Sequence, residues 1–476
     1  MKTAFSALIA ALVALCPLPG AATEPAGPAV ATPEMFQAVG DGSADDGPAL
    51  AAAFQKAEET GEEVVLTRRY HYSASLRVPA GVLIRGVGSV GGAEPGDDYG
   101  RVRPALVPDQ GASLRVERNV TLRNFAIVSA GLPQPTSYRE VASTVKGWTG
   151  TAIEVGRKDG ARDGADDVTI EDLFIIGFGR CIAAEWAARL QIFRVKGECE
   201  NGIAIDQSHD VSRIADTHFW PFYVQGNLKL RYASKILDVQ RADDSHATIT
   251  LEQPHQLAPG DVVALADAKG LAGVLRSATV VAAPDTHHIE VSGLPDGQFA
   301  GGALRFLPGL EHGTAYSIEH SEGVNFIGNY SYGFLRHVYC GPGSEWVQFF
   351  NQGIDGNLLA ADPASVGYDI EGDADRILVS GGLISGVAQT ALINSSSPRA
   401  AIFSNVSINR SIKGVFAVSR GRLTVQGGDI ASAAPSFVAD AAAGLTLDNV
   451  AAANLKIAFQ SEAARAKFSM RNDLAR

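Results

Sequence analysis

The sequence predicts an all-β protein built as a solenoid, a parallel β-helix, with a short helix near its start and a small β-domain inserted midway. Three observations carry this prediction: a short apolar pattern that recurs about every 22 residues, the alternation of apolar and polar residues within each copy, and one long interruption. A period in this range indicates one supersecondary unit stacked many times, each copy burying its apolar face against its neighbours.

The repeated pattern has the form V-x-[IVLF]-x-[NGD]-x-x-I and is clearest at 120–127 and 168–175. Its copies begin at Val120, Val168, Leu190, Ser212, Asn325, Val347, Ile377, Ala401, Leu423 and Leu445. Short alternating runs separated by Gly, Asn and Asp are typical of strands rather than helices. A solenoid of such strands presents long flat sheets, which suit an extended polymer.

The first 22 residues have the pattern of a secretory signal peptide, with Lys2, an apolar run over 4–16 and small residues before a cleavage site. The apolar run is too short to span a membrane. Residues 23–35 are rich in Pro and Ala and predict a disordered leader. We therefore expect a bacterial protein that is secreted or periplasmic.

A short amphipathic helix is predicted over 49–59, with Asp46 or Gly47 as its N-cap, Pro48 at its first position and Gly61 after its end. Strands and turns follow at 64–66 and 76–86.

The segments 39–50 and 78–86 resemble the N-terminal signature of the pectate-lyase-like superfamily, and more narrowly its branch of phage tailspikes and polygalacturonase-related proteins. The specific match covers about residues 36–90, and the repeat extends the general resemblance to about 455. The resemblance implies that the helix caps a right-handed parallel β-helix. It says little about activity, because the family holds lyases, hydrolases, epimerases and adhesins without catalysis.

The long interruption separates the copies at Ser212 and Asn325 and predicts an inserted domain at 228–312, between β-helix parts at 36–227 and 313–455. Its alternating runs at 247–263 and 278–291 predict antiparallel strands, and it resembles the small β-barrel modules of tail-fibre-type proteins. Residues 456–476 are helix-prone and predict a C-terminal cap or tail.

The formal net charge of −12 makes a nucleic-acid partner unexpected and mildly disfavours a strongly anionic substrate.

Beyond the signal segment, cysteines stand at 181, 199 and 340. Cys181 and Cys199 fall on consecutive coils, so a disulfide between them is plausible in an oxidising compartment, and buried free thiols are the alternative.

A second line of strands carries a column of acids. Aligning the inward residues Ile182, Ile203, Phe222, Tyr316, Val338 and Tyr368 places Glu185, Asp206, Gln225, Glu319, Gly341 and Glu371 on the outer face. Glu319 and Glu371 then lie two coils apart, about 9.6 Å between backbones, with an open notch at Gly341. Asp206 and Glu319 are likewise placed two coils apart, with Gln225 between them.

Carboxyl groups about 6.5–9.5 Å apart suit an inverting glycosidase, whereas the spacing near 5 Å that a retaining enzyme needs is expected only for Glu185 and Asp206. A solvated acidic ladder without catalytic use is the alternative interpretation.

Aromatic and basic residues crowd the coils on either side of the insertion. As substrate-binding candidates they are Trp220, Tyr223, Tyr330, Tyr332, Arg336 and Tyr339; His218 and His337 join Glu319, Glu371 and Asp206 as catalytic candidates. Rings stack on the flat faces of sugars, Arg336 suits a uronate carboxylate, and a His or Tyr suits proton transfer in β-elimination. Packing at the corners of the solenoid is the alternative role for each of them.

We expect no cofactor and no metal site; calcium bound by the acids of 369–375 is the alternative.

The leading hypothesis is a secreted polysaccharide-degrading glycoside hydrolase that uses paired carboxylates on the outer face of the β-helix. The alternatives are a polysaccharide lyase acting on uronates and a glycan-binding or adhesion β-helix without catalysis. The expected partner is a polysaccharide, and the expected state is a monomer or a homotrimer.

Overall fold

The computed structural model describes residues 30–88, 98–156, 164–227, 232–243, 245–266, 276–294, 301–306, 312–356, 362, 364–432, 436–452 and 456–471. The predicted signal peptide and the first part of the predicted leader lie outside the described residues. The predicted parallel β-helix is confirmed, because equivalent strands of successive coils pair in parallel along three sheets.

Sheet I contains the strands Leu76–Val78, Leu114–Val116, Thr151–Val155, Arg180–Glu185, Asn201–Asp206, His312–Glu319, Phe334–Cys340, Val366–Gly372, Gln389–Ser395 and Ile457–Phe459. Sheet II contains Val30–Ala31, Glu63–Leu66, Leu83–Gly86, Thr121–Arg123, Thr169–Glu171, Gln191–Phe193, Ser212–Ala215, Val324–Ile327, Gln348–Phe350, Ile377–Ser380, Ala401–Ser404 and Phe468–Arg471. Two long strands, Gly414–Gln426 and Phe437–Asp448, run through both sheets and join them.

Sheet III contains the strands Asp41–Asp45, Arg69–Tyr72, Ala105–Pro108, Ala126–Val128, Phe174–Ile176, Lys196–Glu198, His218–Phe219, Tyr330–Tyr332, Gly353–Asp355, Leu383–Ser385, Ser407–Asn409, Asp429–Ala431 and Ala451–Ala452. The α-helices are Gly47–Thr60, Tyr138–Lys146, Phe222–Gly226 and Glu462–Ala466, and the 3-10 helices are Pro33–Phe36 and Tyr99–Arg101. Within the described ranges no helix is both long and apolar enough to cross a membrane.

The fifth position of the repeat is the corner at which the chain turns from sheet II into sheet III. Every corner residue has φ between 51° and 68°: Asn124, Asp172, Arg194, Asp216, Gly328, Asn351, Gly381, Asn405, Gly427 and Asn449. Gly, Asn and Asp tolerate this left-handed conformation best, which explains their place in the pattern. One predicted start was wrong by one residue: Val324, not Asn325, pairs with Ser212, because the corner lies at Gly328.

The interior of the solenoid is a continuous apolar core that runs through the three sheets. Aromatic rings stack from coil to coil along part of it, for example Phe326 on Phe349 at 4.7 Å and Phe416 on Phe437 at 5.2 Å between centroids. Buried aromatic side chains dominate the energetics of such cores. Phe326 and Phe349 belong to strands of sheet II, and Phe416 and Phe437 belong to the two long strands that join sheets I and II.

Both ends of the solenoid differ from the prediction. The described part of the predicted disordered leader, residues 30–35, is ordered, since Val30–Ala31 pairs with Glu63 and Val64 and the 3-10 helix Pro33–Phe36 follows. The helix Gly47–Thr60 has Asp46 as its N-cap and Gly61 (φ 72°) as its C-cap, and its buried Leu50 and Phe54 cover the first coils. At the other end, Ile457–Phe459 and Phe468–Arg471 add to sheets I and II, so the solenoid continues past residue 455.

The inserted domain is a closed antiparallel barrel of the strands Tyr232–Arg241, His246–Leu251, Val262–Ala266, Arg276–Ala282, His288–Ser292 and Ala303–Phe306. It has an apolar core of its own. Arg139 of the helix Tyr138–Lys146 binds Asp261 of the barrel, with Nη2–Oδ2 and Nη1–Oδ1 distances of 2.6 and 3.2 Å. The barrel therefore docks beside the helix that covers sheet III.

Cys181 and Cys199 form a disulfide between two adjacent coils. Cys340 is a buried free thiol on the inner side of sheet I.

Candidate active site

The outer face of sheet I carries the predicted acid column. Glu185 pairs with Asp206, and Asp206 pairs with Glu319. Ile318 pairs with Cys340 and Cys340 with Ile370, so the residues that follow them, Glu319, Gly341 and Glu371, continue the column in the same register. Glu371 in turn pairs with Asn394. Glu319 and Glu371 lie two coils apart, as the spacing of the repeat predicted.

Two residues of the predicted alignment, Phe222 and Gln225, were wrong. They belong to the helix Phe222–Gly226, because the chain leaves the solenoid there and enters the barrel. The strand of sheet I that follows Asn201–Asp206 comes only after the insertion, at His312–Glu319. Asp206 and Glu319 are consequently on neighbouring coils, about 4.8 Å between backbones, rather than two coils apart.

The predicted notch at Gly341 is filled by the ring of Tyr339. A Cβ built at Gly341 would lie 2.7 Å from Cε1 and 2.8 Å from the hydroxyl oxygen of Tyr339. The absence of a side chain at Gly341 thus lets the tyrosine lie flat across its backbone, between the coils of Glu319 and Glu371. Burial, Glu319 and Glu371 all raise the pKa of Tyr339, so its hydroxyl keeps its proton at neutral pH and is able to donate a hydrogen bond.

Arg336 joins Tyr339 to a buried carboxylate. Its guanidinium lies 4.5 Å from the centroid of the Tyr339 ring, and its Nε lies 3.1 Å from Oδ2 of Asp369. The Asp369 side chain is only 6% exposed, and its Oδ1 has no hydrogen-bond partner among the described residues. Burial raises the pKa of Asp369 to about 6 against the opposing effect of Arg336, and the charge of Glu371 raises it further.

Asp369 is a residue of this site that the sequence analysis considered only among the acids of the alternative calcium site, and not beside the acid column. It stands one position after the inward residue Tyr368 and pairs with Tyr339 on the preceding coil. The same position on the coils before holds Ala183, Ala204 and Ser317, whose side chains are small. Aligning this position as well would have found Asp369, together with a row of small residues beside the acids.

His320 is a second residue that sequence reasoning did not single out. Its Nδ1 lies 2.9 Å from Oδ1 of Asp206, and both side chains are about half exposed. His320 directly follows Glu319, in a turn with φ of 44°. A carboxylate that orients an exposed imidazole beside a second carboxylate is an arrangement suited to proton transfer.

Four of the predicted residues lie on sheet III rather than at this site. His218, Trp220, Tyr330 and Tyr332 form one partly exposed cluster, with ring centroids of His218 and Tyr330 5.0 Å apart and those of Trp220 and Tyr332 6.3 Å apart. The Tyr330 hydroxyl donates to Oδ2 of Asp355 at 2.6 Å, and burial and Asp355 raise the pKa of Tyr330.

Two predicted residues are buried and unsuited to contact a polymer. His337 is fully buried, its Nδ1 lies 2.9 Å from Oγ of Ser331, and burial lowers its pKa to about 3. Tyr223 is 1% exposed and donates its hydroxyl proton to the carbonyl of Pro133 at 3.1 Å. Both residues belong to the packing of their surroundings.

The acids of 369–375 bind separate partners. Asp373 accepts the N–H of Gly343 at 2.6 Å, and Asp375 binds Nη2 of Arg399 at 2.7 Å. Across the described ranges, no group of three or more His, Cys, Asp or Glu side chains is arranged to hold a metal ion.

The chain is similar in fold to several solved structures. An A-module of a mannuronan C-5 epimerase from Azotobacter vinelandii is 10% identical, with a TM-score of 0.45 and coverage of 94% of this chain and 99% of that one. The catalytic unit of a GH87 α-1,3-glucanase from Streptomyces thermodiastaticus is 11% identical, with a TM-score of 0.41 and coverage of 95% and 69%. An endo-xylogalacturonan hydrolase from Aspergillus tubingensis is 12% identical, with a TM-score of 0.35 and coverage of 94% and 98%.

No family model matches the chain, and no curated protein sequence matches it significantly. Likeness at this level concerns the fold and supports no inference about activity. By the pairing of its own strands, the chain is a parallel β-helix protein with a small barrel inserted between two of its coils.

Proposed function

We propose that the chain is a secreted polysaccharide-cleaving enzyme that acts on the outer face of sheet I, and that it hydrolyses glycosidic bonds. One observation carries the proposal: Glu319 and Glu371 stand two coils apart on one outward column, and the hydroxyl-bearing edge of Tyr339 lies between them. Their backbones are about 9.6 Å apart. Because flexible side chains can converge over Tyr339, this fits the carboxyl separation of about 6.5–9.5 Å that an inverting mechanism needs.

In this mechanism one glutamic acid donates its proton to the glycosidic oxygen as the bond from that oxygen to the anomeric carbon breaks. The other glutamate takes a proton from water, whose oxygen forms the new bond to the same carbon from the opposite face. The Tyr339 hydroxyl donates a hydrogen bond to one carboxylate or to the sugar. Arg336, held by Asp369 and stacked on Tyr339, keeps that ring in place.

Secretion is part of the proposal. It is supported by the signal-like start of the sequence and by the disulfide between Cys181 and Cys199, since disulfides persist in oxidising compartments.

β-Elimination on a uronate polymer is the second candidate, and Arg336 favours it. An exposed guanidinium beside a tyrosine suits the neutralisation of a uronate carboxylate while a base removes the neighbouring carbon-bound proton and the glycosidic C–O bond breaks. The raised pKa of Tyr339 argues against that tyrosine as the base, because a general base works best with a pKa near the operating pH. Hydrolysis is therefore the favoured reaction, ahead of β-elimination.

The test is incubation of the purified protein with neutral and uronate-rich polysaccharides, measuring new reducing ends and the absorbance of unsaturated uronates. Hydrolysis predicts reducing ends without absorbance. Glu319→Gln and Glu371→Gln should each lower the rate by about 10²–10⁴-fold with the fold intact. Glu185→Gln is the matched control, since Glu185 lies on the same column two coils before Glu319.

Absorbance at unsaturated bonds would replace hydrolysis by elimination. Full activity in both glutamine variants would reject the acid pair, and retention on a glycan without any product would favour the binding protein without catalysis.

A further inference from the structure

A groove lies on the outer face of sheet II, beside the corner that leads from sheet I. Its volume is about 480 Å³, and its lining includes Trp346, Arg376, Arg399, Ile402 and Arg422. Trp346 follows Gly341 by five residues and Arg376 follows Glu371 by five, so the groove belongs to the same coils as the candidate active site but to a neighbouring face.

Trp346 is held rigidly although its side chain is exposed. It is 51% exposed, and the Arg376 guanidinium lies 4.6 Å from the centroid of its ring. Its Nε1 donates to Oε1 of Glu345 at 3.0 Å, and the same oxygen accepts from Nη1 of Arg376 at 2.8 Å. A ring fixed in this way loses little conformational entropy when a ligand stacks on it.

The floor of the groove is a straight column of sheet II. Gln348 pairs with Leu378, Leu378 with Ile402 and Ile402 with Thr424, each on the next coil. The column mixes amide, aliphatic and hydroxyl groups over three coil spacings, about 14 Å in all. Apolar carbon beside neutral hydrogen-bonding groups suits the surface of a sugar chain.

The walls carry a local excess of positive charge. Three arginines, Arg376, Arg399 and Arg422, face two carboxylates, and Asp375 binds Arg399 at 2.7 Å while Glu345 binds Arg376. Among the described residues no carboxylate lies within ion-pair distance of Arg422, so one positive charge is left over in a chain whose net charge is −12. An arginine with a free planar fork binds carboxylates in two-point contact.

We propose that this groove is a second glycan-binding site, separate from the site of cleavage, and that it takes a uronate-bearing polysaccharide. Trp346 stacks on a sugar ring, the floor column contacts the next residues of the polymer, and Arg422 binds a carboxylate. The site does not depend on catalysis on sheet I, so it can hold a polymer whether or not the proposed function is right.

Affinity electrophoresis in gels that contain polygalacturonate, alginate or neutral dextran tests the proposal, with the Glu371→Gln protein to prevent cleavage. We expect at least one uronate polymer to retard the protein, with an affinity at least tenfold higher than that for dextran. This affinity should fall at high salt, because the contact is ionic. Trp346→Asn should weaken the binding about tenfold. Asparagine suits the backbone at position 346, where φ is 55°.

Trp186→Asn is the matched control, because Trp186 also has φ of 55° and lies outside the groove. Arg422→Gln, a change on the surface, should weaken binding and flatten its salt dependence. The proposal is overturned if neither uronate polymer retards the protein or if Trp346→Asn binds as tightly as its parent. Concentration-dependent self-association that Trp346→Asn abolishes, seen by sedimentation, would overturn it too, by assigning the groove to a second copy of the chain.

Discussion

The outer faces of sheets I and III belong to the same coils and differ in what covers them. On sheet I, ionisable side chains stand partly open to solvent next to small residues at 183, 204 and 317. On sheet III, a second apolar cluster lies outside the solenoid, where the helices Tyr138–Lys146 and Phe222–Gly226 cover strands near Phe174. Repeated strands thus give two similar faces, and the segments between the strands decide which face stays open.

The carboxyl groups of the two faces show the same contrast. Glu198, on the covered face of sheet III, is 1% exposed and accepts the N–H of Tyr223, and burial raises its pKa to about 8. Glu319 and Glu371 on sheet I are only partly buried. A carboxyl group under a helix serves packing, whereas carboxyl groups on an open face can meet a substrate.

The largest expected effect is on the stability of the covered face. Phe174 is fully buried in the cluster outside sheet III, so Phe174→Ala should lower the free energy of unfolding by about 3–5 kcal/mol. Chemical denaturation measures this loss. The rate of cleavage per folded molecule should stay within about twofold of the parent, and a specific loss of rate at unchanged stability would contradict the division between the two faces.

The second largest effect is expected on catalysis, and it should distinguish two tyrosines, one from each face. Tyr339→Phe removes a donor between Glu319 and Glu371 and should lower kcat by about 10²-fold, the usual effect of losing one fixed donor. Tyr330→Phe removes the bond to Asp355 and should leave kcat unchanged. Steady-state rates on the polysaccharide that the parent cleaves compare the two, and equal losses would remove the functional distinction between the faces.

A smaller effect concerns pH. The pKa of Asp369 is raised to about 6, so its carboxylate, and with it the firm hold on Arg336, is lost as the pH falls through that value. We expect kcat/KM to fall up to tenfold per pH unit below about 6 in the parent. Asp369→Asn should lower the rate and remove this limb of the profile. An unchanged limb in the variant would mean that Asp369 does not position Arg336.

Much of the site could be predicted because the repeat fixes the register. Once Val338 and Tyr368 are aligned as inward residues, the alternation of a strand places Tyr339, Gly341, Asp369 and Glu371 on the outer face. The alignment failed at Phe222 and Gln225, since nothing local shows at which residue the chain departs into an inserted domain. The aromatic residues of sheets I and III also cannot be told apart in the sequence, because the sequence around an aromatic residue does not show whether a helix will cover it.

The period of the solenoid and most of the acid column can be read from the sequence alone, because both depend on a few adjacent residues and on strand alternation. Three features became visible only in the folded molecule: Tyr339 fills the space over Gly341, Asp206 neighbours Glu319 across the insertion, and Asp369 is buried beneath Arg336. Asp206 and Glu319 lie 113 residues apart in the chain and Arg336 and Asp369 lie 33 apart, while the Tyr339 ring lies over Gly341 with the Arg336 guanidinium stacked on it. These arrangements follow from packing rather than from local propensity.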